Sequence, residues 1–171
     1  MTIDALRLEV PDIVEESPVS LAELNQLLAQ ARAEKQAVAL QQVLSLLLRC
    51  NRSAMTLLER QRALQSFSDE YRHYAKACQA DTTPPALFVH LCSELAMGFK
   101  RLLLQILQGR QPSQAHLAWC LYMAQHFLGQ CQLRHYQLYQ EPPPGLWRDS
   151  HLLYWIGEQQ NCLDEPIAAP F

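Results

Sequence analysis

Glu70 and His73 stand in the order E-x-x-H, the spacing with which helical bundles hold paired iron or manganese ions. Such a centre also needs a second E-x-x-H and two further inward carboxylates. Asp69 and Glu94 are the only surplus acids on the central segments and the motif has no second copy, so no di-metal site is expected. His116–Cys120 and Cys131–His135 each have the i,i+4 spacing of two ligands on one helix. Both pairs belong to a single predicted helix, and His116 and His135 are separated by about 28 Å of rise. They cannot share one tetrahedral ion unless that helix breaks. Buried thiols and half-exposed imidazoles are expected instead.

Covalent catalysis fares no better. No G-x-S-x-G elbow occurs, and no cysteine sits in a glycine-rich turn. Asp149, Ser150 and His151 are the letters of a triad in adjacent positions. Neighbours on a helix point about 100° apart, so the three cannot act on one another. Neither G-x-G-x-x-G nor G-x-x-x-x-G-K-[ST] is present to cradle a phosphate. Arg49, Arg52, Arg60, Arg62 and Arg72 cluster along one connection and the helix after it. A nucleic-acid reader would need a denser basic face and an isoelectric point above about 6.0. The cluster reads as a solvated surface or as part of a protein interface. The residues thus predict no enzyme, no cofactor, no metal and no nucleic-acid partner.

Aromatic residues gather at one corner. Trp147, His151, Tyr154 and Glu158 recur at i, i+4, i+7 and i+11 on one face of the last predicted helix, and Tyr136 and Tyr139 end the helix before it. Either the two helices pack as a hairpin core, or the corner is a recognition surface, since aromatics and arginine are the usual anchors of protein contacts. The candidate interaction residues are Tyr139, Trp147, Arg148, His151, Tyr154 and Trp155, with Trp155 on a different face.

These groups must be carried by helices. Leu, Ala, Gln, Glu and Arg dominate the middle of the chain, while Val, Ile and Thr are scarce. Ser20 with Glu23 makes a capping box opening a helix with Leu21, Leu24, Leu27 and Leu28 on one face. Leu40, Val43, Leu44, Leu47 and Leu48 continue the pattern, predicting helices over 21–31 and 34–50 or one long bent helix. Asn51 or Ser53 caps the next, 54–80, with Leu57, Leu58, Leu64, Phe67, Tyr71 and Tyr74 toward the core. The Pro84-Pro85 pair starts a helix over 85–109. A fifth follows over 114–140 and is stopped by Pro142, Pro143 and Pro144, with Gly145 freeing the turn. A sixth spans 145–160. The fold class is all-α, a single antiparallel bundle of five or six helices. Residues 1–19 read as a flexible acidic arm, 20–161 as the bundle and 162–171 as a flexible tail.

With 171 residues, 49% of them hydrophobic, the chain can bury one core. Residues 1–16 carry five acids against Arg7, residues 141–171 five against Arg148, and the stretch between twelve bases against seven acids. The ends are acidic and the body basic. Six cysteines without a C-x-x-C pair, an N-terminus without an apolar run and no segment long enough to span a bilayer predict a cytoplasmic protein.

The segments SELAMGFKRLLL (93–104) and HYQLYQEPPPGLWRDSHLLYWIGEQQNCLDEPI (135–167) resemble the helical N-terminal region of proteobacterial regulatory proteins that carry a PilZ domain, the module that binds cyclic di-GMP. The resemblance covers roughly residues 20–167. It implies a signalling context, with the nucleotide held by a domain further along a longer chain. The PilZ ligand motif, R-x-x-x-R then D/N-x-S-x-x-G, is missing, and Arg49 and Arg52 are too close together to serve. No direct binding of cyclic di-GMP is therefore expected of this segment. The leading expectation is a non-catalytic regulatory or adaptor module acting by helix–helix contact with itself or a partner protein. The alternative is a ligand pocket between the long helices, lined by Met97, Phe99, Met123 and Phe127.

Overall fold

Residues 19–78, 84–108, 114–145 and Tyr154 are described by a computed structural model. They form α1 (Leu21–Arg32), α2 (Gln36–Arg52), α3 (Leu57–Ala77), α4 (Ala86–Gln108) and α5 (Gln114–Tyr139), with no strand among them. The all-α bundle expected from periodicity is observed. Two helices, not one bent helix, occupy the first third: the chain breaks at Ala33, whose N–H bonds back to Gln30 O and Ala31 O. The predicted helix over 145–160 lies outside the described residues, apart from Tyr154, which is helical.

Local chemistry sets the ends. Ser20 Oγ accepts from the N–H of Glu23 and opens α1. The reciprocal capping box stands at α3, where Thr56 Oγ1 accepts from Glu59 N–H and the Glu59 carboxylate accepts from Thr56 N–H at 3.0 Å. Those bonds to Thr56, the backbone one foremost, hold the Glu59 carboxyl below its usual range. This corrects the expectation that Asn51 or Ser53 caps the helix; both belong to the end of α2, where Ser53 Oγ donates to Arg49 O. Leu57 and Leu58, expected in the core, are exposed. They occupy the first turn, before the helix reaches its neighbours.

Leu40, Val43 and Leu47 of α2 and Leu64, Phe67 and Tyr71 of α3 share one core with α4, while Leu24, Leu28 and Ala31 of α1 join that core on the side of α2 and α3. That helix is apolar on nearly every side, as a helix buried all round must be. It packs against α2, α3 and α5, whereas α5 lies mainly along α4. Gly98 lets α4 approach the end of α2, since a methyl there would stand 2.7 Å from Leu64 Cδ2 and 2.8 Å from Asn51 Oδ1. At its far end α5 stops with Gln140 in the left-handed region (φ 60°), its N–H bonded to Tyr136 O. Gly145 (φ 78°) follows the three prolines.

Candidate functional site

The arginine cluster divides. Arg49, Arg52, Arg62 and Arg72 are exposed, as expected of a solvated face. Arg60 is 2% exposed, which corrects its assignment to that surface. Its guanidinium donates to Cys50 O at 3.1 Å, Ser53 O at 2.8 Å and Gln105 Oε1 at 2.6 Å. Arg101, also buried, donates to Asn51 O. The two cations therefore close the carbonyl end of α2, where the helix dipole is negative and backbone acceptors have no intrahelical donors. Burial, and then Arg101, pushes the Arg60 pKa down to about 10, so the group stays charged at neutral pH. The sequence carried the signal: Arg60, Ala63, Leu64 and Phe67 fall at i, i+3, i+4 and i+7, the core face of α3. Asn51 completes the corner, donating to the Glu94 backbone and carboxylate at 3.0 Å each.

Aromatic rings meet between α4 and α5. Phe99 and Phe127 stack at 5.6 Å, Trp119 meets Phe99 edge-on at 5.4 Å, and Met123 is buried beside them. Of the four residues expected to line a pocket, Phe99, Met123 and Phe127 are buried and Met97 is half-buried. Tyr71 joins α3 to this layer, edge-on to Phe127 at 4.9 Å and donating to Gln130 Oε1. Glu70 takes a hydrogen bond from Arg32 at 2.9 Å, pairing α1 with α3, and His73 turns outward against Tyr74. No group of three or more His, Cys, Asp or Glu is placed to hold an ion among the described residues. Cys50, Cys78, Cys92, Cys120 and Cys131 are buried and reduced. Desolvation raises Cys50 to about 11 and Cys120 well above the usual thiol range, which favours their protonated forms.

The outer side of α5 is exposed. Between Gln114 and Tyr139 one residue carries a permanent charge, Arg134, and it is buried with its guanidinium over the Phe88 ring at 5.6 Å. The exposed positions hold Tyr, Gln, His, Ala, Gly and Leu: Tyr122 is 37% exposed, Leu133 43% and Tyr136 55%. A solvent-facing helix ordinarily carries charge there, as α3 does with Glu59, Arg62, Asp69, Arg72 and Lys76. At the end of this face Tyr139 is 52% exposed and tilts against His135, whose Nδ1–H donates to Glu141 O at 2.8 Å.

Of the six residues singled out in the sequence, Tyr139 and Tyr154 are described, and both are exposed. Trp147, Arg148, His151 and Trp155 lie outside the described residues. The outer row of α5 was missed by counting hydrophobic stripes; the missing charges along twenty-six residues were the signal that would have found it. A shallow groove of about 520 Å³ between α1 and α2, lined by Leu27, Gln30, Val38, Gln41 and Leu46, offers no titratable group. No helix among the described residues is long and apolar enough to cross a membrane.

Compared with known families, residues 22–171 match the family described as the N-terminal domain of the cyclic-di-GMP receptor FimW. No curated protein and no solved structure matches the chain.

Proposed function

The chain belongs to the family of N-terminal domains of the cyclic-di-GMP receptor FimW, and from that premise we propose that it is a non-catalytic, cytoplasmic regulatory module that works by protein–protein contact. The observation that carries this reading is the uncharged outer face of α5, ending in Tyr136 and Tyr139. Large exposed aromatics without surrounding charge are costly to leave in water and are the usual anchors of interfaces. Trp147, Arg148, His151, Tyr154 and Trp155, singled out by residue type in the sequence, are proposed to take part in the same contact.

We propose that this segment does not itself hold the dinucleotide. A phosphate ligand calls for accessible paired guanidinium groups, and the buried pair Arg60 and Arg101 is committed to the end of α2. Leu133→Glu with Tyr136→Glu is expected to abolish the cellular response to cyclic di-GMP while circular dichroism and the melting temperature stay at the wild-type values. An unchanged response from a folded double variant would remove the basis of the reading. A calorimetric titration of this chain with cyclic di-GMP should give no saturable heat; a saturable one would reassign the module to ligand binding.

A further inference from the structure

We infer that the occupant of the uncharged α5 face is a second copy of the same chain, seated antiparallel about a two-fold axis through Gly129. The inference rests on the contact reading above and names its partner. Three observations support it.

The first is charge. A face without charge gives a charged partner nothing to be steered by, and two copies of it meet without repulsion. The charge flanking the face is Arg72 of α3, which, after burial, helps hold His126 below the usual histidine range.

The second is hydrogen-bonding capacity. Each polar side chain on the face (Tyr hydroxyl, Gln amide, neutral imidazole) both donates and accepts, so the face can satisfy a copy of itself. A Lys or Glu face cannot do this.

The third is spacing. Tyr122 and Tyr136 lie seven residues before and after Gly129, about 10 Å along the helix in each direction. An antiparallel copy crossing at Gly129 therefore sets Tyr122 against Tyr136 of the other chain, twice. His126 and Gln132, three residues either side, meet in the same way. Gly129 has nothing within 4 Å of the place a Cβ would take, so the backbones can close there. This is the self-complementary arrangement that a two-fold interface requires.

The test uses the full chain. In sedimentation equilibrium the weight-average mass should climb from 19.6 kDa toward twice that value as concentration rises, and Leu133→Glu should hold it at the single-chain mass. Under mild oxidation Gly129→Cys should give a covalent dimer in excess of the unmodified chain. Tyr122→Cys and Tyr136→Cys should each fail alone and cross-link when mixed. A monomer at all concentrations, a dimer that survives Leu133→Glu, or cross-linking of Tyr122→Cys with itself would overturn the pairing. A monomeric chain whose Leu133→Glu, Tyr136→Glu form still loses the cyclic di-GMP response would sink the self-pairing and leave the contact function standing. A dimer of the predicted symmetry with a normal response from that variant would sink the function instead.

Discussion

Arg60 decides more than any other single side chain. It spans from α3 to the last carbonyls of α2 and to Gln105 of α4, so one guanidinium joins three helices. Removing it leaves Ser53 O and Gln105 Oε1 without their donor and Cys50 O with only the Ser53 N–H, and each buried acceptor left without a donor costs about 1–3 kcal/mol. Arg60→Ala should therefore lower the unfolding free energy by roughly 3 kcal/mol or more in a urea titration. Arg60→Lys should recover little, because an ammonium on a flexible stem cannot reproduce a planar fork of donors. If lysine restored wild-type stability, the corner would need only a charge and not the geometry described. Arg60 lies in the same linear cluster as Arg62, which is exposed. What separates them is the helical period: Arg60 is in phase with Leu64 and Phe67, and Arg62 is not.

Among the elements, α4 and α5 each carry a glycine at mid-helix, and the two should respond oppositely to the same change. An alanine gains up to about 1 kcal/mol of helix propensity over glycine. At Gly98 the added methyl meets Leu64, which is held in the core, and Asn51, which is pinned by two bonds to Glu94. Neither yields readily, and overpacking of this kind costs about 1–3 kcal/mol. Gly98→Ala should be net destabilising, whereas Gly129→Ala, with open space above it, should stabilise the single chain by about 0.5–1 kcal/mol. Thermal unfolding of both variants at low protein concentration measures the signs; stabilisation by Gly98→Ala would mean that α4 and α2 are not packed as described, and destabilisation by Gly129→Ala that its face is not open. The pair also separates two uses of glycine that look alike in a sequence. One lets helices meet within the chain, and the other leaves a helix face open.

Across the whole molecule, the five described thiols are spread over α2, the end of α3, α4 and α5, and all are buried. Alkylation under native conditions should leave these five unmodified, and in rising denaturant they should react together in one transition. Mass spectrometry of the labelled chain reads this directly. Early labelling of Cys120 and Cys131 alone would show that α5 opens separately from the rest, as the edge helix of the bundle would if its packing on α4 were weak.

The order of helices, their spans to within a few residues and most of the core were legible in the letters, because a buried stripe must repeat with the helical period whatever it packs against. Leu24, Leu28, Leu47, Leu64, Phe67, Leu95, Leu102 and Phe127 are all where that period puts them. The same sequence set the exposed positions of α5 without a permanent charge, and with them the face on which the functional reading rests. Tertiary structure decided what periodicity cannot encode. It drew Arg60 and Arg101 inside, because the unpaired carbonyls ending α2 are a favourable destination for a buried cation only once three helices meet there. It also brought Phe99, Trp119 and Phe127 into ring contact between α4 and α5, because that contact depends on the distance and rotation of two rods, which no single rod's residues contain.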